Sequence, residues 1–366
     1  MQLFKLKCDD FLEYDEASGT YYMPAEQQVR DEAEKTHWKE VGFTLLKDWR
    51  LYLMLIPMLL VYLLWRYMPM TNLLAAFKNP NTMLPSGISA GSDVGLQDWY
   101  GLTNFDELFF GAQANLFWAA FRNTFIIAFY GLLFGFPFPI ILALFFNEIK
   151  SNITRSILQV CVYLPKFMST VIITTLAIAL FRAPGETNEM GVLSQLMITL
   201  FDNPELEAGV NSVGGLVYSN NYFRAIYQIT GIWEHGGYDS IVFFAAVIAV
   251  SPTSYEAAQM DGAGKMQQMR YVVLPSILST VVIMLIMKVG TLLSVGYEKV
   301  YLMTNTGNYE AGRIVAVLSN AWATGDQTGG NAALGIAAEM VNNLIGMILV
   351  IGANTIARKA TDVSLY

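Results

Sequence analysis

The chain has 366 residues, of which 54% are hydrophobic and only 14% are charged, whereas a soluble globular domain typically carries about 25% charged residues. Its formal net charge is −8, and residues 1–40 contain ten acidic and five basic side chains. The low charged fraction excludes an ordinary soluble domain, and the acidity argues against a nucleic-acid partner. The first fifty residues lack the apolar stretch of a signal peptide, so the first membrane span is expected to direct its own insertion.

The hydrophobic residues are concentrated in stretches of about 20 residues, the length that an α-helix needs to cross the hydrocarbon core of a membrane. The alternating strands of a membrane β-barrel, the other structure able to span a bilayer, are not seen. Six membrane-spanning helices are therefore predicted, and the second is expected to be kinked or broken near Pro137 and Pro139. Their ranges are Leu51–Met68, Phe117–Phe146, Ile157–Leu180, Tyr222–Val250, Ser276–Gly296 and Asn331–Ala357.

This pattern divides the chain into an acidic N-terminal extension, residues 1–46, and a transmembrane domain, residues 47–366. The extension includes EQQVRDEAEKTHWKEV, which is rich in helix-forming residues. The extension is therefore expected to be solvated and partly helical.

The distribution of lysine and arginine predicts the orientation of the spans. Basic residues flank the first span, fill the short connections after the second and fourth spans, and follow the sixth. By the positive-inside rule, both termini and these connections lie in the cytoplasm, and the three longer connections lie outside. The residues concerned are Lys47, Arg50, Lys150, Arg155, Lys265, Arg270, Arg358 and Lys359.

A polar segment, SPTSYEAAQMDGAGKMQQMRYVVLP at residues 251–275, separates the fourth and fifth predicted spans. Ser251 followed by Pro252 is typical of a helix start, and Asp261-Gly262 is typical of a turn. A short helix, a turn and a second helix are therefore predicted. The small residues of the segment would let another surface approach its backbone. Composition alone leaves a simple connecting loop and a docking element equally open.

The spacing within this segment resembles the EAA loop of binding-protein-dependent ABC import permeases. EAA at residues 256–258 is followed after three residues by Gly262, after nine more by Val272, and then by Leu-Pro at residues 274–275. The family pattern has isoleucine where this chain has Val272. The stretches DWRLYLMLIPMLLVYLLWRYMPM, RNTFIIAFYGLLFGFPFPIILALFFNEI and VGYEKVYLMTN further resemble the polysaccharide- and oligosaccharide-import members.

The resemblance covers the chain from about Lys47 to Tyr366 and implies a type I ABC importer permease, an all-α protein with six transmembrane helices. Such a chain is a multi-pass subunit of the bacterial cytoplasmic membrane, surrounded by lipid, in an ATP-driven carbohydrate importer. Its implied partners are a second permease subunit, an ABC ATPase dimer at the cytoplasmic face and an extracytoplasmic solute-binding protein. The acidic extension departs from the family, whose members usually begin much closer to the first span.

The same resemblance implies that the 251–275 segment couples the permease to the ATPase. The chain itself is not expected to hydrolyse ATP or to hold a cofactor, because DGAGKM, the stretch nearest to a P-loop, lacks the required glycine spacing and the Ser or Thr. The residues implied to contact the ATPase, or to join that contact to the fifth span, are Glu256, Ala257, Ala258, Asp261, Gly262, Leu274 and Pro275.

Ionisable residues at membrane depth are costly and point to function. GIWEHGGYDS is expected to break or kink the fourth span where it lines a polar cavity. Lys288 and Glu298 are placed about 15 Å apart along the fifth helix, too far to pair directly. Snorkelling to an interface, or pairing between subunits, is the alternative for each residue. The predicted sugar route is lined by Trp233, Glu234, Lys288, Glu298 and Asn342 or Asn343.

Other functions remain open at this point. The solute could be something other than a sugar. A membrane-embedded enzyme acting on polysaccharide would need converging acids or a nucleophile, whereas the outer acids are scattered. A passive channel or a structural scaffold would not explain the EAA spacing. The two histidines, His37 and His235, are isolated in the sequence, so no metal site is predicted.

Overall fold

A computed structural model describes residues 13–15, 20–22, 49–79, 99–183, 190–201, 214–324 and 331–361. The chain forms two compact units, Met1–Thr71 and Asn72–Tyr366. The predicted boundary between residues 46 and 47 falls inside the first unit. The helix-forming stretch at residues 26–41 lies outside the described residues.

The described residues of the first unit form two short strands and one long apolar helix. Strands β1 (Glu13–Asp15) and β2 (Thr20–Tyr22) pair antiparallel. Helix α1 (Trp49–Tyr62) continues through a π-helical turn, Leu63–Tyr67, and a further helical turn, Met68–Met70. Its described side chains are exposed on every side, as expected of a helix that is apolar all round and faces lipid or another helix.

The described part of the second unit is built from helices. The longer helices form the body of the unit, and the shorter helices lie between them. They are α2 (Thr103–Phe110), α3 (Ala114–Tyr130), α4 (Pro137–Glu148), α5 (Asn152–Tyr163), α6 (Thr170–Phe181), α7 (Val192–Phe201), α8 (Phe223–Ile248), α9 (Pro252–Met260), α10 (Lys265–Gln268), α11 (Leu278–Gly290), α12 (Tyr297–Met303), α13 (Tyr309–Gly312), α14 (Val315–Thr324) and α15 (Ala332–Thr361).

Three helical stretches of the described chain are long and apolar enough to cross a membrane: Tyr52–Phe77, Ala114–Glu148 and Ala332–Lys359. Three bent pairs also qualify, so the described residues provide three spans, or up to six if each pair is one span. The pairs are Asn152–Phe167 with Thr170–Phe181 (99°), Phe223–Ile248 with Pro252–Met260 (68°), and Lys265–Ser276 with Leu278–Gly290 (62°).

Of the kink or break expected near Pro137 and Pro139 in the second predicted span, the break is not formed, because the span is one continuous helical stretch. Helix α3 passes into α4 through a π-helical turn, Gly131–Gly135, and Pro137 is the first residue of α4. Proline suits a first helical position because its ring fixes φ near −65° and it has no N–H to satisfy. The widened turn before Pro137 therefore accommodates the prolines within one 35-residue helical stretch.

The third predicted span contains a sharp bend that hydropathy did not reveal. Pro165 lies in a 3₁₀ turn, Leu164–Phe167, after α5. Ser169 then starts α6, accepting a hydrogen bond on its Oγ from the Ile172 N–H at 3.4 Å. A proline turn followed by a serine cap ends one helix and begins another, which produces the 99° change of direction.

Helix α8 runs unbroken over 26 residues, so the break expected at Gly236-Gly237 is wrong. The two glycines instead allow close packing of helices. A Cβ on Gly237 would lie 2.1 Å from the carbonyl oxygen of Val162 in α5, and a Cβ on Gly236 would lie 2.6 Å from the Phe138 ring in α4. Helix α8 can therefore contact both neighbours only because side chains are missing at these positions.

Contacts along α8 give the relative directions of its neighbours. Helices α3 and α4 run parallel to α8, because contacts advance together along both chains. Helix α5 runs antiparallel, because its contacts advance in opposite directions. The parallel pairs are Asn123 with Arg224, Ile127 with Gln228, Phe138 with Gly236, and Phe146 with Phe244; the antiparallel pairs are Arg155 with Phe244, Val162 with Gly237, and Lys166 with His235.

Three clusters of buried apolar residues hold the second unit together. One joins α3, α6, α8 and α12 and includes Phe181, Phe223 and Met303. A second joins α2, α3, α14 and α15 and includes Phe117 and Trp322. The third joins α4 and α8 to the residues that follow α10. The third cluster connects the membrane helices to the 251–275 segment.

Replacing Gly237 with alanine is expected to lower the melting temperature of the purified protein in detergent. The added Cβ would force α8 and α5 apart, and overpacking of this kind costs about 1–3 kcal/mol. Gly346→Ala is the matched control, because a Cβ added to that helical glycine would have no heavy atom within 4 Å, and helix propensity alone favours alanine by up to about 1 kcal/mol. Equal melting temperatures for the two variants would contradict the packing role.

Candidate functional site

The 251–275 segment folds into two helices separated by a tight turn, as predicted. Pro252 is the first residue of α9, and Ser251 occupies the cap position. The Ser251 hydroxyl does not cap the helix, because it pairs with the Thr253 hydroxyl at 2.7 Å. Helix α10 begins after Gly264, whose N–H donates to Gln267 Oε1 at 2.8 Å.

Gly262 forms the turn between the two helices. Its φ is +77°, in the left-handed region that glycine adopts without strain. The Gly262 N–H donates to the carbonyl of Gln259 at 3.0 Å, and the Ala263 N–H donates to the carbonyl of Ala258 at 2.9 Å. This pair of bonds is a Schellman motif, which satisfies the last carbonyls of α9. The glycine of the EAA pattern is therefore required by backbone conformation.

The segment is firmly attached to the membrane helices on one side. Lys265 forms an ion pair with Glu148 at the end of α4. Tyr255 packs against the third apolar cluster, in which Val273 and Ile277 are buried. Burial raises the pKa of the Tyr255 phenol above its ordinary value. These contacts join α9 to both α4 and α8.

The opposite side of the segment is exposed. Glu256, Ala257, Asp261 and Gly262 are all exposed, and Ala258 is half-buried. Met260 is 88% exposed. Methionine is flexible and apolar, and is frequent on surfaces that bind other proteins. The exposed side therefore combines charge, small residues and an apolar side chain, as a docking surface does.

The end of the segment leads back into the membrane helices. Leu274 and Pro275 lie in a short helical turn, Leu274–Ser276, that follows a π-helical turn, Met269–Val273. Both residues are exposed, whereas Val273 is buried. Six of the seven predicted coupling residues are thus exposed, whereas the segment packs against the membrane helices through Tyr255 and Val273.

A second candidate site is a cavity of about 420 Å³ between α3, α8 and the chain around residues 288–299. Its wall includes polar residues of α8 at helical spacing, namely Gln228, His235 and Asp239. Residues spaced by about three or four positions share one face of a helix, so α8 presents a polar stripe to the cavity. The ionisable side chains of the wall are Glu234, His235, Asp239, Lys288, Glu298 and Lys299.

A buried ion pair lies in the cavity wall. Lys299 Nζ donates to Glu234 Oε2 at 2.9 Å, and the two side chains are only 7% and 5% exposed. Lys299 Nζ also lies 5.4 Å from the centre of the Tyr227 ring. The second carboxylate oxygen of Glu234 lies 3.8 Å from His235 Nε2. The pair therefore links α8 directly to α12.

Sequence reasoning missed Lys299. The available signal was its place directly after Glu298 in VGYEKVYLMTN. The prediction assumed one continuous helix through Ser276–Gly296, but α11 ends at Gly290 and α12 begins at Tyr297. The single helix along which the separation of about 15 Å was calculated is therefore not formed, because the chain leaves the helix between Lys288 and Glu298.

The predicted sugar-route residues fall into two groups. Glu234, Lys288 and Glu298 lie around the cavity. Trp233, 46% exposed, is not part of the cavity wall, and Asn342 is buried with its Nδ2 donating to the Leu293 carbonyl at 3.2 Å. The exposed Asn343 also lies outside the wall. The structure thus brings together three of the predicted residues and adds Lys299 and His235.

The chain as a whole can be compared with known proteins. Residues 135–297 match the family described as the binding-protein-dependent transport system inner membrane component. Protein LplB of Bacillus subtilis (strain 168) is 33% identical over 87% of this chain and 92% of its own length. The chain belongs to this family. It is therefore a multi-pass transport subunit of the cytoplasmic membrane, and not an enzyme.

Two further similarities extend over nearly the whole chain. The polygalacturonan/rhamnogalacturonan transport system permease protein YteP of Bacillus subtilis (strain 168) is 32% identical over 94% of this chain and 98% of YteP. A chain in the crystal structure of a bacterial ABC transporter that imports the acidic polysaccharide alginate is 31% identical, with a TM-score of 0.72 over 88% of this chain and 99% of that one. The helical fold is therefore that of an ABC import permease.

Replacing Gly262 with alanine is expected to loosen the turn between α9 and α10. A left-handed conformation costs a residue with a side chain about 1–2 kcal/mol, which corresponds to roughly 5- to 30-fold faster hydrogen exchange at residues 262 and 263. Gly264→Ala should leave exchange unchanged, because φ at Gly264 is −69°. Mass spectrometry of deuterium uptake measures both, and equal effects of the two substitutions would refute the conformational role.

Replacing Lys299 with methionine is expected to destabilise the protein by about 3–5 kcal/mol, because it leaves the buried Glu234 carboxylate without its partner. The double variant Glu234→Gln/Lys299→Met should recover most of this loss. Thermal unfolding in detergent measures the effect, with Lys288→Met, an exposed lysine of the same cavity, as the control. A single Lys299 variant as stable as the control would show that the ion pair does not hold α8 to α12.

Proposed function

We propose that the chain is the permease subunit of an ATP-driven importer of oligosaccharides or polysaccharide fragments. The observation that carries the proposal is near full-length similarity to two proteins of carbohydrate transport. One is named as a polygalacturonan/rhamnogalacturonan permease, and the other belongs to an alginate importer. A second solved structure of the alginate transporter, in complex with a periplasmic protein that holds an alginate pentasaccharide, matches 90% of this chain with a TM-score of 0.71.

In this proposal the chain crosses the membrane six times and has both termini in the cytoplasm. The relative helix directions support the arrangement, since the second and fourth spans run parallel and α5, in the third, runs antiparallel to them. The 251–275 segment then lies at the cytoplasmic face, and the N-terminal end of α8 lies at the outer face.

The 251–275 segment would transmit movement between an ATPase and the membrane helices. The ATPase dimer binds ATP and contacts the exposed side around Glu256, Ala257 and Asp261; the permease needs no cofactor of its own. The anchored side, through Lys265 and Tyr255, passes the displacement to α4 and α8. Helix α8 borders the cavity, and α4 is continuous with the Gly131–Gly135 turn in the cavity wall. Movement of the two helices would therefore open the cavity alternately to the two sides of the membrane.

Three partners complete the importer. A second permease subunit, expected to be a different chain, forms the other half of the pathway. An ABC ATPase dimer docks from the cytoplasm. An extracytoplasmic solute-binding protein delivers the sugar to the outer face, in line with the family description as binding-protein-dependent.

Replacing Glu256 with alanine is expected to uncouple the ATPase, because an exposed charged contact of the 251–275 segment is lost. We expect ATP hydrolysis stimulated by the loaded binding protein to fall on the order of tenfold, equivalent to about 1.4 kcal/mol. The measurement uses the complex purified with its genomic neighbours through a tag on this chain. Asp106→Ala, an exposed acid of α2 on the opposite predicted side, should have no effect.

Two results would reject the proposal in different ways. If no ATPase is recovered with the chain, the proposal that the chain forms an importer with these partners is wrong. If the complex assembles and hydrolyses ATP in response to a binding protein loaded only with a non-sugar solute, the transport mechanism stands and the carbohydrate assignment is wrong.

A further inference from the structure

Asn123 of α3 links two arginines near the N-terminal end of α8, one through its side chain and the other through its backbone. Arg224, in the first turn of α8, donates from its Nη2 to Asn123 Oδ1 at 2.9 Å. The same Asn123 side chain donates from its Nδ2 to the Arg313 carbonyl at 3.0 Å. The Arg313 guanidinium carbon lies 4.2 Å from the centre of the Tyr309 ring. Within the described part of the chain, neither guanidinium forms an ion pair with a carboxylate.

The hydrogen bond from Arg224 to Asn123 helps to hold α8 against α3, but fold stability does not account for the two positive charges at this position. A cation in the first turn of a helix is disfavoured by the helix dipole, which is positive at that end, and α8 has no acid in its first turn to compensate. The Nε atoms of both arginines are buried without a hydrogen-bond partner. An unsatisfied buried donor is a cost to folding. The unpaired cation at the start of α8 and the unpaired Nε donors are together typical of a binding site for an anionic ligand.

Arg224 and Arg313 lie outside the cavity wall, but Arg224 is one helical turn from it. Arg224 precedes the cavity residue Gln228 by four positions, so both lie on the polar face of α8, about 6 Å apart along the helix axis. Gln228 Nε2 donates to the Ile127 carbonyl at 2.6 Å, one turn of α3 after Asn123. The seam between α3 and α8 therefore leads from the two arginines into the cavity.

The charge balance places the excess of positive charge at the arginines. The cavity wall carries three acids, Glu234, Asp239 and Glu298, against two lysines, Lys288 and Lys299. Glu234 and Lys299 already neutralise each other. An anionic ligand would consequently be attracted to the end of the seam near Arg224 more strongly than to the cavity wall.

Resting on the proposed function, we propose that Arg224 and Arg313 bind carboxylate groups of an acidic oligosaccharide, built of uronate units, as it passes into the cavity. A guanidinium group binds a carboxylate through two parallel hydrogen bonds, a geometry that lysine does not offer. The positive end of α8 adds to the attraction. Asn123 is a positioning residue, because it holds Arg224 through its side chain and the Arg313 backbone.

The test measures uptake into proteoliposomes that contain the complete importer, with trigalacturonate and its neutral methyl ester as probes at saturating loaded binding protein. The variants are Arg224→Gln, Arg313→Gln, the double variant and Arg224→Lys. Arg122→Gln is the matched control, since Arg122 is exposed and adjacent to Asn123 in α3. Melting temperatures establish that each variant is folded.

The double variant should reduce trigalacturonate uptake at least tenfold and change uptake of the methyl ester less than twofold. Arg224→Lys should recover only part of the loss, and Arg122→Gln should behave as the unmodified protein. If a glutamine variant fails to fold, the comparison of acid with ester in Arg224→Lys decides, because that variant keeps the charge and loses the paired hydrogen bonds.

Equal uptake of acid and ester by the unmodified importer would overturn the inference, as would an equal loss of both in the double variant. Uptake of a neutral oligosaccharide such as xylotriose without uptake of trigalacturonate would also overturn it, while leaving the carbohydrate function intact. Failure to take up any of these sugars, in a complex that hydrolyses ATP with another loaded binding protein, would reject the proposed function itself.

Discussion

Close packing around α8 is the constraint on which the second unit depends. Gly236 and Gly237 bring the helix against α4 and α5 with no space for a side chain between them. Contacts before the glycines fix α8 against α3, and contacts after them fix it against α4 and the third apolar cluster. One helix therefore determines the positions of the cavity wall, the arginine pair and the start of the 251–275 segment.

The same packing gives the proposed coupling a mechanical basis. Helix α9 follows directly from α8 and packs through Tyr255 against the third apolar cluster, while Lys265 of α10 forms an ion pair with Glu148 of α4. A displacement of α9 would therefore reach two helices that are already packed against each other. Protein interiors are densely packed and transmit strain over such contacts. A loose loop carrying the same EAA residues would absorb the displacement within itself.

The buried pair of Glu234 and Lys299 illustrates how polar groups are accommodated beside the cavity. Burying either charge alone is expensive, and a close ion pair offsets that cost only partly. The pair is retained in a wall where Tyr227 lies beside the lysine and His235 lies beside the glutamate. Its physical role is to hold α12 against the middle of α8. Helix α12 needs this contact because a non-helical stretch, residues 291–296, separates it from α11. The arginines have no such internal partner among the described carboxylates, which is why they suit an external anion.

Local properties of the sequence determined much of this protein. Runs of apolar residues predicted the positions of the membrane helices, because the length of a hydrophobic stretch is set by the thickness of the bilayer. The spacing of Glu256, Gly262 and Pro275 predicted the family and the turn of the 251–275 segment, because helix starts and left-handed turns depend on neighbouring residues.

Only the tertiary structure decided which residues meet across helices. Hydropathy does not distinguish a glycine that breaks a helix from one that admits a neighbour, so the role of Gly237 depended on the position of Val162. It also does not reveal that α11 ends before Glu298, or that Lys299 is the partner of Glu234. The sequence also did not predict that Arg224 and Arg313 lie near each other. They are far apart in the chain and are linked through Asn123 of α3. Such contacts depend on how helices pack, and packing is not encoded in any one segment.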